Sequence, residues 1–462
     1  MTDSFTYKGA WFLPENPNNE VTGTLTFDPQ EGIELELMGR LVELKSSKDI
    51  HKPKFILGFT TDGKLITLYK CFEFNRSMSL PGMKTCKYSA TFVLKGAHFE
   101  AEKDFKFNSI IGRLKNLENW ISEFGFKKVD TDLKAKITEI EYKLPNPIEF
   151  KATSALAGKL DFTYSPPFSK HTNKVELEQK TEVVLETKHA KPFEDLLDDF
   201  FHFQNFLTLG TFEASYPISI YIKNNKLKED IGKKKVNVRV EVFFRHSVIA
   251  RPARKKILWE FLFNYRDIAS NFSVIIAKWY ANRETIRPVT NLLFDSFYNA
   301  GKFTENSFLN ISQAVETFHR RFRKNEVLPK KDHKKKLKEI LDTVDPKHKD
   351  WIQARLHFSN EPTLHMRLEE LIDELTNKTV KKIIKDKDEF IKDVKNSRNY
   401  YTHYDKSLEN KAKRGNDLFH LTEKLKVILV CAVLKETGFT DKQIEGLLER
   451  NEWKFFNHIM DE

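Results

Sequence analysis

The chain has 462 residues, 40% of them hydrophobic and 39 of them Phe, so it can bury substantial cores and wholesale disorder is excluded. Its 77 Lys and Arg against 66 Asp and Glu leave a formal net charge of +11, which favours a polyanionic partner. Cys71, Cys86 and Cys431 are too scattered for a disulfide framework or a zinc ribbon and fit a reducing compartment.

The length suggests about two to four domains. The opening Met-Thr-Asp-Ser-Phe-Thr has neither the basic nor the apolar region of a signal peptide. Apolar runs such as Val427 to Leu434 are too short to span a bilayer, so the expectation is a soluble, cytoplasmic protein with no membrane partner.

Residues 1 to about 110 read as an antiparallel all-β unit. Val21–Phe27 and Ile33–Leu37 alternate apolar and polar residues around the turn Asp28-Pro-Gln-Glu-Gly32. Lys54–Thr60 and Lys64–Phe74 flank Thr61-Asp62-Gly63, a hairpin signal, and Tyr88–Leu94 adds another strand. Trp11 is read as a core aromatic, with exposed recognition as the alternative.

From about 110 to 245 the pattern stays mostly β, with strands expected at 135–142, 156–164, 175–187, 216–222 and 236–244. A short helix interrupts it at Leu117–Ile121 and a longer one at Phe193–Leu209, whose inward face carries Leu196, Leu197, Phe200, Phe201, Gln204 and Leu207. Asp195, Asp198 and Asp199 are read as helix-dipole partners rather than metal ligands, and Gly232-Lys-Lys-Lys235 as a solvated hairpin tip.

After about Arg251, Gly and Pro thin out and helical periodicity takes over. Helices are expected at Ala253–Ala281, Pro288–Tyr298, Phe303–Arg323, Glu361–Leu375, Phe390–Tyr404, 416–436 and 440–449. Phe308, Ile311, Ala314, Val315 and Phe318 form a core stripe, with Glu316 and His319 on or beside it. Arg320 to Lys324 and Lys330 to Lys336 form the densest basic region, a solvated face or a phosphate-steering one. The predicted class is α+β multidomain: a β-rich half, residues 1–250, then a helical connector, 251–300, then an all-α bundle, 301–462.

Within Phe390–Tyr404 lies Arg398-Asn399-Tyr400-Tyr401-Thr402-His403. Phe390, Val394, Ser397, Tyr401 and Tyr404 recur at helical steps on a face suited to burial, while Asn396, Asn399 and His403 repeat on another. An imidazole can transfer protons near neutrality, and a guanidinium offers a fixed charge and a bidentate fork for phosphoryl oxygens. Arg398 and His403 are about 140° apart round a helix, so they converge only if the long Arg side chain bends toward the Asn399 and His403 row.

Arg398-Asn-x-x-x-His403 resembles the R-x(4–6)-H signature of HEPN-domain ribonucleases, in the wording of their ApeA branch of anti-phage, abortive-infection proteins. A bare R-x(4–6)-H is a weak pattern, and Arg414…His420 and Arg239…His246 also match it. The Asn after the Arg and the helical setting distinguish this copy. Tyr7-Lys-Gly-Ala-Trp11-Phe-Leu-Pro14, Gly23-Thr-Leu-Thr-Phe27-Asp and Leu35-Glu-Leu-Met-Gly39 are similar to the N-terminal domain that accompanies that module.

The resemblance implies a metal-independent endoribonuclease in which the RNA 2′-OH attacks the adjacent phosphorus, with no cofactor and no metal. Arg398, Asn399 and His403 are then the catalytic residues, joined by Glu316 as the acidic residue of the first helix that faces them. Tyr400, Lys406, Arg320 and Arg323 are the candidate substrate-binding residues, and His319 is read as an interhelical structural histidine. The family pairs two motifs across a homodimer, acts on host RNA such as tRNA, and suggests a phage-derived trigger sensed by the N-terminal half. The competing reading is a non-catalytic RNA- or protein-binding module in which the motif is structural. No P-loop, HExxH, GxSxG or glycine-rich dinucleotide motif is present.

Overall fold

The computed structural model describes residues 1–43, 49–78, 82–132, 134, 136–166, 175–232, 234–246, 260–299, 304–375 and 378–455. They fall into two compact units, Met1–Ser273 and Val274–Glu462. The first is β-rich and the second helical, the α+β organisation expected from the sequence.

The first unit opens with β1 (Phe5–Leu13), β2 (Asn16–Asp28), β3 (Gly32–Leu37), β4 (Phe55–Thr60), β5 (Leu65–Met78) and β6 (Lys84–Lys95). Their antiparallel pairings run β1–β2–β3–β6–β5–β4 and return to β1, so the six strands close into a barrel without free edges. The predicted turns form by local chemistry. Asp28 accepts from the Gln30 and Glu31 N–H groups at 2.8 and 3.0 Å, and Gly63 takes a φ of 80° that side chains resist. Inside the barrel Trp11 is fully buried, packed so closely on Gly58 that a Cβ there would lie 2.3 Å from its ring.

The unit continues with β7 (Lys106–Leu114), α1 (Leu117–Ile121), β8 (Phe126–Asp132), β9 (Ile137–Tyr142), β10 (Ile148–Lys151), β11 (Leu156–Ser165), β12 (Glu178–Pro192), α2 (Phe193–Thr211), β13 (Pro217–Lys223), β14 (Lys228–Ile231), β15 (Lys234–Asn237) and β16 (Val240–Phe243). The order β10–β11–β12–β7–β13–β16 forms a wing that joins the barrel where Val242 pairs with Leu94 of β6. Helix α2 lies on the wing, its Phe200 seated over Gly112, where a Cβ would meet the ring at 2.3 Å.

Three expectations change here. β7, β8 and β10 lie where no strand is expected: β7 is buried on both faces, which erases the period-two signal, and β8 is exposed along its length. The strand expected at 236–244 is two: β15 pairs with β14 and ends at Asn237, and from Val240 the chain pairs with β13 and β6 as β16. Asp199 is buried against the Lys191 ammonium at 2.5 Å, an ion pair within the wing. Residue 233 of the predicted Gly232–Lys235 tip and residue 135 of the predicted 135–142 strand lie outside the described residues.

The long helix expected at Ala253–Ala281 is not continuous. Its residues 253–259 lie outside the described residues. The remainder is α3 (Tyr265–Ile268) and α4 (Phe272–Ala281), because Asn264 is extended and forms a capping box with Asp267 that starts a new helix.

In the second unit follow α5 (Arg283–Tyr298), α6 (Thr304–Phe322), α7 (Lys330–Asp342), α8 (Pro346–Arg355), α9 (Leu364–Glu374), α10 (Lys378–Ile383), α11 (Lys387–His403), α12 (Gly415–Glu436) and α13 (Asp441–Phe455). Phe303, the expected start of α6, lies outside the described residues. The basic stretch Lys330–Lys336 folds as α7, which buries none of its residues. Helix α12 is buried continuously from Leu425 to Leu434, the all-round burial of a bundle's central helix. Helices α5, α9, α11 and α12 all pack on α6.

Candidate active site

Helix α11 begins where Asp386 caps the Glu389 N–H at 2.9 Å and ends at Tyr404, which takes the left-handed φ of 51°. Phe390, Ile391, Val394, Ser397 and Tyr401 face the bundle, Tyr401 reaching Phe308 of α6 at a ring distance of 6.3 Å. Tyr404, expected on that stripe, is instead 65% exposed, because the helix stops one residue before it.

The segment after α11 is stapled back onto it. The Tyr401 hydroxyl donates to the Lys413 carbonyl at 2.9 Å, the Lys413 N–H donates to the buried Ser397 hydroxyl at 3.0 Å, and the Lys413 ammonium pairs with Asp393 at 3.1 Å. Residues 404–414 are thereby held over the last turn of the motif helix, with a 3-10 turn at Lys406–Leu408.

Arg398 is half-buried and bends both ways. Its Nη1 donates to the Asn399 carboxamide oxygen at 3.4 Å, and its Nη2 pairs with Glu316 of α6 at 3.4 Å. The sequence-predicted Glu316, Arg398 and Asn399 therefore stand together, linking α6 to α11. His403 is exposed one turn beyond Asn399. The Asp405 carboxyl beside it is held below the usual carboxylate range, first by the Ser407 N–H and side chain and also by His403. Of the Asn399 and His403 row, the guanidinium thus contacts Asn399.

The other candidates lie apart from that row. Lys406 is exposed in the 3-10 turn, and Arg320 is exposed and paired with Glu361. Arg323 is engaged on both sides: its Nε and Nη2 donate to Glu374 at 2.7 and 2.6 Å and its Nη1 to Glu436 at 2.7 Å. Those carboxylates push its pKa further up and leave its fork no open face, so a phosphate-binding role for Arg323 does not fit its surroundings. Its work is to tie α6 to α9 and α12.

His319 is fully buried between Arg367, whose Nη1 donates to Nδ1 at 2.9 Å, and Glu370, which accepts from Nε2 at 2.8 Å. That pairing is the neutral Nε2–H tautomer, and burial holds its pKa down. Arg367 escaped the sequence reading, since nothing in its neighbours marks it as the partner of a histidine 48 positions away. Arg414, of the second R-x(4–6)-H match, stands elsewhere. It occupies the N-cap position of α12, where its side chain makes no cap, and neither Asn416 nor Asp417 caps that helix. Instead its guanidinium lies over the Tyr400 ring at 5.5 Å.

Among the described residues no group of three or more His, Cys, Asp or Glu side chains comes together as a metal site would require. No helix among them is long and apolar enough to cross a membrane.

A β-barrel with its wing thus precedes, along the chain, a helical bundle whose motif helix carries Arg398, Asn399 and His403. Residues 6–279 match the family described as ApeA N-terminal domain 1, and residues 309–443 match the family described as Apea-like HEPN. The chain belongs to the ApeA family and carries its HEPN domain. No match was found among curated proteins or among solved structures.

Proposed function

We propose that this protein is an anti-phage defence endoribonuclease whose HEPN domain cleaves host RNA, structured RNA such as tRNA being its target class, by attack of the substrate 2′-OH. The observation that carries the reading is Arg398 held between Glu316 and Asn399, with the exposed His403 one turn on. Glu316 aims the guanidinium, Arg398 binds the phosphoryl oxygens as charge builds on them, and Asn399 holds the phosphate or the imidazole. His403 moves the proton at the 2′ oxygen or at the leaving 5′ oxygen. One chain supplies one motif histidine, and a homodimer facing two α11 helices would supply both acid and base without a metal or cofactor.

In this reading residues 1–250 form the sensor that restrains the nuclease until a phage-derived trigger appears. Residues 251–300 connect it to the catalytic bundle at 301–462, and the protein acts in the cytoplasm. Wild type and His403→Ala, each incubated with total cellular RNA in EDTA, test it. Discrete cuts ending in 2′,3′-cyclic phosphate and lost in the variant are expected. A strict divalent-metal requirement overturns the mechanism. A second reading, a non-catalytic binding module, draws on the Arg398–Glu316 ion pair, which also serves as an interhelical tie. It gains if His403→Ala unfolds the bundle or if infected-cell extract elicits no cleavage from wild type.

A further inference from the structure

Beside the motif row, on the next face of α11, lies a groove of about 470 Å³ lined by Glu305, Asn306, Tyr400, Tyr401, Tyr404 and Arg414. Tyr400 meets Tyr401 at 5.1 Å and Tyr404 at 5.6 Å between ring centroids, both edge-on, so the three rings present faces in different directions. Arg414 is anchored by the Glu409 carbonyl and carboxylate at 3.2 Å and donates to the Tyr400 hydroxyl at 3.3 Å. Tyr404, 65% exposed at the mouth, is held there by the helix-ending turn.

Across from the rings Glu305 and Asn306 stand in the first turn of α6. An acidic residue there is ordinary helix-dipole chemistry. Its placement is not: Glu305 is close enough to Tyr401 to push the phenol's pKa up, second to burial. Among the described residues no hydrogen bond or ion pair engages the Glu305 carboxylate or the Asn306 carboxamide. An aromatic platform facing an unengaged pair of acceptor oxygens suits a flat heterocycle that donates along one edge.

We infer that this groove is a subsite for an unpaired guanine of the RNA strand, adjoining the scissile phosphate. Its base would stack on Tyr404 or Tyr400, its N1–H and N2–H would donate to Glu305, and its O6 would accept from Asn306. The inference rests on the ribonuclease reading for the identity of the strand. Among the common bases only guanine offers two adjacent N–H donors on its Watson–Crick edge. Adenine and cytosine place an acceptor beside their amino group, and uracil flanks its single N–H with carbonyls, so each would set a lone pair against the carboxylate. An unstacked base is available in loops and bulges, where RNA sequence is read. Tyr400 lies about 60° round the helix from His403 and Tyr404 follows His403 directly in the chain, so base and phosphate would be neighbouring parts of one strand.

The test separates this subsite from the chemistry by measuring binding in the non-cleaving His403→Ala protein. Fluorescence anisotropy would compare labelled single-stranded RNAs of one length carrying guanine, inosine or adenine at a single position in a uridine background. The guanine strand is expected to bind at least about fivefold tighter than the adenine strand, with inosine, which lacks the N2 amino group, in between. Adding Glu305→Gln should abolish the ranking, and adding Tyr404→Ala should weaken the guanine strand about fivefold or more. Equal affinity for all three strands, or a ranking that survives Glu305→Gln, overturns the proposal. A variant in which Tyr404→Ala instead splits a dimer, seen by sedimentation, with the ranking intact, assigns the rings to self-association and also overturns it. Ranked binding without cleavage by the wild-type protein leaves the subsite standing while the nuclease reading fails.

Discussion

Arg398 and Arg323 both pair with carboxylates, but to different extents. Arg398 has one carboxylate at 3.4 Å and about a third of its side chain open, whereas Arg323 has two at 2.6 to 2.7 Å and is 16% exposed. Glu316→Gln should therefore cost stability no more than about 1 kcal/mol, since a pair this exposed is screened by water. The same change should slow RNA cleavage about tenfold or more, because the guanidinium loses its aim. Parallel thermal melts and cleavage rates check this, and a large loss of stability would make Glu316 a prop rather than a positioning residue. Arg323→Ala should do the reverse, lowering stability by about 2 kcal/mol or more by leaving Glu374 and Glu436 without their cation. Asn399 and His403 were legible as one helical face because a helix turns spacing into angle, while Arg398, about 140° from His403, was marked by the family resemblance. The partners of Arg323 and the hold of Arg367 on His319 were not, because they join residues on different helices.

At the scale of elements, the motif helix is tied to the segment that follows it. The hydrogen bonds from Tyr401 to the Lys413 carbonyl and from the Lys413 N–H to Ser397 hold residues 404–414 against α11. Tyr401→Phe with Ser397→Ala removes both and leaves the rings and the helix in place. Faster amide exchange confined to 405–414 is expected, with a stability loss of about 1 to 2 kcal/mol and weaker RNA cleavage. Exchange unchanged in that segment would show that other contacts hold it. The stripe Phe390, Val394, Ser397 and Tyr401 followed from the 3.6-residue period. Tyr404 departed from it because periodicity carries no record of where a helix stops, and a left-handed C-cap turned that ring outward.

At the scale of the whole molecule, His51, His246 and His319 share a pH response among the described residues. Burial lowers the pKa of His51 and His319, and it takes His246 down to about 4, from the ordinary 6.5. The folded protein then refuses protons that the unfolded chain accepts. Stability should fall as pH drops through 6.5 toward those lowered values, and be fully regained above 6.5. A lower thermal midpoint at pH 5 than at pH 7.5 is expected, and a flat profile would contradict the burial of these rings. Gly58→Ala probes the barrel by itself. A methyl group 2.3 Å from the Trp11 ring forces repacking, with an expected loss of about 1 to 3 kcal/mol confined to the first unit's transition.

The chain by itself determined the split into a β-rich half and a helical half, the turns at Asp28–Gly32 and Asp62–Gly63, and the Asn396, Asn399 and His403 row with Arg398 beside it. All of these depend on local periodicity and turn chemistry, which short stretches encode completely. Only the tertiary structure decided that six strands close into a barrel and that β6 also feeds a wing. It gave the Glu316–Arg398 pairing that the resemblance implied its geometry, and it alone set Arg414 and Glu305 around the Tyr400 groove. Such pairings bring together groups from distant parts of the chain, and burial and charge choose among partners that sequence spacing leaves equivalent.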